Sequence, residues 1–175
     1  MDGYNVIGIF HRDRERARDA FIDLLIDYRK VKTHHITVVF DGHKAGSGSE
    51  QTMVRGGVRI IYSRLGERAD DVIKRIISQE RREWIVVSSD REIMHHAWSV
   101  GAVPVPSPVF YGIVERQVKR RGVPADSPEE EGGADGSLFR AADDSEDEEG
   151  PGARKGNPHQ LSKKEKAVRK VLGKL

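Results

Sequence analysis

Four aspartates, Asp2, Asp41, Asp70 and Asp90, stand in four separate segments of this 175-residue chain, "DGYNVI", "VVFDGHKAG", "RADDVI" and "VVSSD". Asp41 and Asp90 directly follow apolar runs that read as strands, and the functional crevice of a parallel α/β fold lies at the carboxyl ends of its strands. Asp70 opens a helix whose preceding connection returns to that same edge, and Asp2 heads the first turn of the chain. Carboxylates brought together repel and raise one another's pKa, a cost that a hard divalent cation with oxygen ligands removes. The set therefore predicts Mg²⁺ or Mn²⁺. An ion held this way suits phosphoryl chemistry, because it lowers the pKa of a bound water and stabilises the charge of the transition state.

Other side chains fit the same chemistry. Asn5 offers an amide to a ligand or a phosphate, and Ser88 and Ser89 place hydroxyls beside Asp90. Arg64 and Arg68, close to Asp70, and Lys44 and Arg55, in a glycine-rich stretch, are expected to meet the backbone of a polyanion. Plainer roles compete with these: an Asp after a strand also caps helices or forms turns, and Asp71 suits the helix dipole better than a ligand sphere. The paired histidines, His34 with His35 and His95 with His96, do not face one way on a regular element, so no histidine metal site is expected. "GSGSEQ" lacks the spacing of a dinucleotide fingerprint.

The elements that must position the acids are legible in the periodicity. Ala17, Phe21, Leu24, Leu25 and Tyr28 share one helical face between Arg14 and Tyr28, and "ITVVF" then reads as a buried strand. Residues 42–57, rich in Gly and Ser, read as a long loop. "VRIIYS" is a second strand. Ala69, Val72, Ile73, Ile76 and Ile77 line a helix, "WIVVSSD" is a strand ending in an acid, and a helix with Ile93, Met94, Ala97 and Trp98 inward follows. "GAVPV" is expected as the last strand, with Ser107 capping a helix that carries Phe110, Ile113, Val114 and Val118. Alternating β and α elements predict a parallel sheet covered by helices.

Composition sets the outer bounds. A hydrophobic share of 37% supports a modest core, and it is concentrated in the first two thirds of the chain. Lys and Arg total 30 against 28 acids, so any argument about partners rests on where the charges lie. Without cysteine there is no disulfide, thiolate metal site or cysteine nucleophile. No apolar run approaches the roughly 20 residues that span a bilayer, which predicts a soluble intracellular protein with no membrane partner. Residues 123–157 turn to Pro, Gly, Glu and Asp and read as an acidic disordered linker. The last segment, residues 158–175, sets Leu161, Val168, Leu172 and Leu175 near one face among lysines, which predicts a basic amphipathic helix that forms on meeting a partner.

The blocks "DGYNVI", "VVFDGHKAG", "GVRIIYSRLGERADDVIKRI", "WIVVSSDREI" and "GAVPVPSPVF", in this order and spacing, resemble the YacP-type NYN domains, a bacterial and plastid branch of the PIN-like nucleases. The resemblance spans about residues 2–120, and the domain is expected to occupy residues 1–122. It implies a three-layer α/β/α sandwich with a mainly parallel sheet, a divalent metal held by acids, and endonucleolytic cleavage of RNA, mRNA or rRNA, in some members on or near ribosomes. Such a protein would be cytoplasmic in a bacterium or stromal in a plastid. By position, Asp2 and Asn5 match the opening motif, Asp41 the second acid, Asp70 the "AD" helix start and Asp90 the "SD" turn; Asp71 lies outside the pattern. Members resemble "LLVDGYNVI", in which apolar residues before the Asp form a central first strand. This strand is truncated here, which implies either a start further upstream or a destabilised relic, and the four intact acidic blocks favour the former. An RNA- or ribosome-binding module without a competent metal site is the alternative.

Overall fold

The computed structural model describes residues 1–8, 14–42, 48–80, 82–122 and 162–175. Lys44, Leu161 and the acidic linker lie outside the described residues. Helix α1 (Gly3–Ile7) follows Met1 and Asp2 directly, and α2 (Arg14–Val31) leads to strand β1 (Thr37–Phe40). Next come β2 (Gln51–Arg55), β3 (Val58–Tyr62), α3 (Ala69–Gln79), β4 (Ile85–Val87), α4 (Arg91–Ser99), β5 (Val103–Val105), α5 (Ser107–Gly122) and α6 (Lys163–Leu172). Among the described residues no helix is long and apolar enough to cross a membrane.

Period-2 alternation along the strands separates two cores, as a sheet covered on both faces requires. Val38, Phe40, Val58 and Ile60 pack with Phe21, Leu25 and Tyr28 of α2 and with Phe110 and Val114 of α5. Their neighbours Val39, Ile61 and Val86 face the other way, onto Val72, Ile73 and Ile77 of α3 and Ile93 and Ala97 of α4. The result is the expected three-layer α/β/α arrangement. Strands β1 and β3 pair in parallel, with Val38 opposite Ile60, and β4 pairs in parallel with β5.

Between these two sheets the first strand is reduced to Met1 and Asp2. The Met1 carbonyl accepts from the Val39 N–H at 2.9 Å, and the Asp2 N–H donates to the Val87 carbonyl at 3.2 Å. Asp2 and Val39 form a single parallel bridge. The order across the molecule is thus β2, β3, β1, the Met1–Asp2 stub, β4, β5. Below the stub, where a longer strand would continue, a cleft of about 280 Å³ opens between the first halves of β1 and β4, lined by Met1, Thr37, Ile77, Trp84, Ile85 and Leu175.

Two sequence expectations are corrected. Residues 51–55, read as part of a long loop, form β2, antiparallel to β3 across a Gly56–Gly57 turn in which both glycines have positive φ (55° and 80°). Such a two-residue turn suits a tight hairpin, but every residue of β2 is exposed, so the strand carries no apolar alternation to betray it. The C-terminal helix needs no external partner: Val171 and Leu175 are buried in the main core, and the Tyr28 hydroxyl donates to the Leu175 carbonyl at 2.8 Å. The Ser162 side chain and Glu165 close a reciprocal capping box at its start.

Candidate active site

The carboxyl end of the sheet is assembled by short, local devices. Asp2 caps α1, with Oδ1 accepting from the Asn5 N–H at 3.1 Å. Asp41, at the end of β1, accepts from the Ala69 N–H at 2.7 Å and so ties the start of α3 to the strand. Asp90 caps α4 through the Glu92 and Ile93 N–H groups, at 2.8 and 3.1 Å. The plainer capping role and the functional role are therefore not exclusive, since each of these bonds engages one carboxylate oxygen and leaves the other to a ligand.

Two glycines permit the approach. A Cβ on Gly42 would stand 1.9 Å from the Ser63 carbonyl oxygen, and one on Gly3 would stand 2.1 Å from the Phe40 ring. The Gly42 N–H donates to the Ser63 hydroxyl at 3.1 Å, fixing the turn after β1 against the end of β3.

All four acids share one electrostatic environment. Burial raises the pKa of Asp2, and the charges of Asp70 and Asp41 raise it further against the Asn5 N–H bond and the nearby N-terminal charge, which lower it. Burial likewise raises Asp70, opposed by the Arg68 guanidinium and Lys74 and reinforced by Asp90 and Asp41. Asp2 and Asp70 are each 8% exposed, which is little for an ionisable residue outside a functional site. Among the described residues no three acidic or histidine side chains stand close enough to surround one ion, and Arg68 forms an ion pair with Asp70. The Arg68 side chain is 70% exposed, so its withdrawal requires little. By its chemistry the donor set, four carboxylates that repel one another, suits a hard divalent cation; holding one would require the carboxylates to draw together as well as Arg68 to leave Asp70.

The remaining expected site residues divide. The carboxamide oxygen of Asn5 accepts from the Ser89 N–H at 2.8 Å and from the Ser107 hydroxyl at 2.6 Å, so Asn5 locks α1 to the β4–α4 turn and to the start of α5. Ser88 is wholly buried, and its hydroxyl accepts from the Asp90 N–H at 3.1 Å, which shapes the turn. Ser89 lies exposed at the edge and accepts from the Ser107 N–H at 3.1 Å. Arg64 and Arg68 stand at the acidic edge, Arg64 paired with Glu67 at 3.2 Å. Arg55 does not: it pairs in register with Val58, at the opposite end of β3, and forms an ion pair with Asp23 of α2 at 2.8 Å. Proximity in the sequence placed it in the site, and the hairpin carries it away by about five residues of strand, on the order of 16 Å. Ser107, expected as a simple helix cap, is a positioning residue whose role had no local signal, because its partner Asn5 is 102 residues distant.

An α/β/α sandwich with four acids at the carboxyl edge of a mainly parallel sheet has the form of a PIN-like nuclease fold. A model of the YacP-like NYN domain matches residues 1–135, and the chain belongs to that family, whose fold is PIN-like and whose members act on RNA in general. Two crystal structures of Rae1 (YacP) from Bacillus subtilis, one of them of a mutant, are similar, with TM-scores of 0.55 and 0.56 at 25% identity. The match covers 69% of this chain and 74% and 75% of theirs. No curated protein matches the sequence.

Proposed function

We propose that this protein is an endoribonuclease that depends on Mg²⁺ or Mn²⁺ and hydrolyses phosphodiester bonds of mRNA or rRNA, with the ribosome as its setting. The observation that carries the reading is the delivery of four acids by four elements to one edge of the sheet, two of them, Asp2 and Asp70, buried there; burial first, and then neighbouring acids, raise the pKa of both. Asp2, Asp41, Asp70 and Asp90 would hold the ion, which when bound supplies Lewis acidity to the scissile phosphate. Asn5 and Ser107 keep the edge assembled by joining α1, the β4–α4 turn and α5. Arg64 and Arg68 present cations to the RNA backbone, and Arg68 would take up a phosphate oxygen in place of its Asp70 contact, leaving Asp70 free to hold the ion. The metal requirement, the RNA type and the ribosome belong to this proposal.

A second reading, an RNA-binding module without catalysis, is favoured by the Arg68–Asp70 ion pair, which engages one of the four acids. A 5′-labelled structured RNA incubated with Mn²⁺, with EDTA and with the Asp90→Asn variant separates the two. Cutting that needs Mn²⁺ and falls at least about 100-fold in the variant supports the nuclease. Equal cutting by Asp90→Asn, or cutting in EDTA, rejects the metal-dependent site, and binding without any cutting selects the second reading.

A further inference from the structure

We infer that α6, whose C-terminal end is seated at the end of the sheet opposite the four carboxylates, forms an anchoring surface for the phosphate backbone of a folded RNA. The inference rests on the proposed action on RNA and adds a second contact region to it.

Helix α6 and the residues after it carry Lys163, Lys164, Lys166, Arg169, Lys170 and Lys174, all exposed. Against these six cations stand the terminal carboxylate and Glu165, and Glu165 is engaged by the Ser162 N–H in the capping box. The orientation of the helix is fixed from its other side. Val171 and Leu175 are buried, and Leu172 packs on the same core cluster as Val118 of α5. The Lys174 carbonyl lies 3.1 Å from His34 Nε2, just ahead of β1. With its apolar face occupied by the protein's own core, α6 has nothing left to insert into a bilayer, and an interfacial membrane helix depends on that face. What remains outward is a cationic surface without an apolar stripe, which complements a polyanion.

Its place in the fold separates it from the cleavage edge. Helix α5 starts at Ser107, bonded to Asn5 and Ser89 beside Asp90, and its 16 residues run to the far end of the sheet, a span of about 24 Å. The end of α6 is seated at that same far end, where the Tyr28 hydroxyl donates to the Leu175 carbonyl and His34 meets the Lys174 carbonyl ahead of β1. A phosphate held at this end is not the one offered to the carboxylates. The surface therefore serves to retain a large RNA, or a neighbouring stem, while a different segment enters the acidic edge.

The test uses the full chain and a 5′-labelled RNA hairpin with a stem of about 16 base pairs, titrated in EDTA so that cleavage plays no part. The triple variant Lys163→Gln, Lys166→Gln, Lys170→Gln changes exposed side chains and leaves Val171 and Leu175 in place; an unchanged thermal midpoint verifies its fold. Affinity at low salt is expected to fall about tenfold or more, and the slope of log K on log salt by about two to three; lysine-to-arginine changes at the same positions retain both. An unchanged slope overturns the inference. So does binding to phosphatidylserine vesicles that depends on the same lysines and displaces the hairpin, which would make the surface a membrane contact. Loss of slope in a protein that never cuts RNA with Mn²⁺ leaves the anchor standing and rejects the nuclease; cutting with an unchanged slope does the reverse.

Discussion

Asp70 is pulled in two directions. Its burial and the charges of Asp90 and Asp41 raise its pKa, while Arg68 and Lys74 oppose them. A carboxyl whose folded pKa is raised contributes most stability below its unfolded pKa, and that contribution is lost as pH rises through the folded value. At pH 7 the ionised side chain is therefore a net burden, of the kind a functional site tolerates. The variant Asp70→Asn is expected to be more stable than wild type by on the order of 1 kcal/mol at pH 7, with the advantage shrinking toward pH 4, and to cut RNA at least about 100-fold more slowly. Urea denaturation at the two pH values reads the first part; a variant less stable at pH 7 would show that the Arg68 pair outweighs burial. At this scale the acids were legible because each follows a strand or opens a helix. The place of Asn5 at the acidic edge was legible, but its part as a lock was not, because both groups it binds, Ser89 and Ser107, come from distant segments.

Among the elements, α3 shows how far periodicity reaches: Ala69, Val72, Ile73 and Ile77 were expected inward and are buried. Strand β2 shows its limit, since an edge strand exposed along its whole length has the composition of a loop. Helix α6 lies between these cases. Its amphipathicity was legible, whereas its docking on the Tyr28 side of the domain was not, because the acidic linker breaks any local relation. Removal of residues 162–175 uncovers the core that Val171 and Leu175 fill and leaves the Tyr28 hydroxyl without its acceptor. Loss of about 3–5 kcal/mol in urea denaturation is expected. A loss under about 1 kcal/mol would mean that the helix is not seated on the core in solution. Truncation thus removes a piece of the core as well as charge, which is why neutralising exposed lysines is the cleaner probe of RNA contact.

In the molecule as a whole, the two sheets meet across Met1 and Asp2. In a chain that starts at Met1 the terminal amine donates to the Thr37 carbonyl at 2.8 Å, and burial lowers its pKa from 8.0 to about 6, against the attraction of Asp2; in one that starts further upstream an amide stands there instead. A depressed folded pKa gives stability that is present above pH 8 and is lost as pH falls through about 6. Taking the shift as roughly two pH units, a loss of about 2–3 kcal/mol is expected between pH 8.5 and 5.5. Chemical denaturation of the 175-residue chain across this range checks it, and acetylation of the amine should flatten the profile; a profile already flat in that unmodified chain would place the amine in water. The cleft beneath Met1, lined partly by Leu175, is where the N- and C-terminal segments complete one core.

The alternation of apolar strands and amphipathic helices, with acids after two strands and at two helix starts, determined the sandwich and the identity of its acidic edge, because period and turn chemistry are local properties of a chain. The tertiary structure alone decided that Arg55 leaves the site and that Ser88 serves the turn. It alone seated the basic helix on the core and made Met1 and Asp2 the bridge between two sheets. Each of these depends on backbone pairing or burial between segments far apart in sequence, for which neighbouring residues carry no signal.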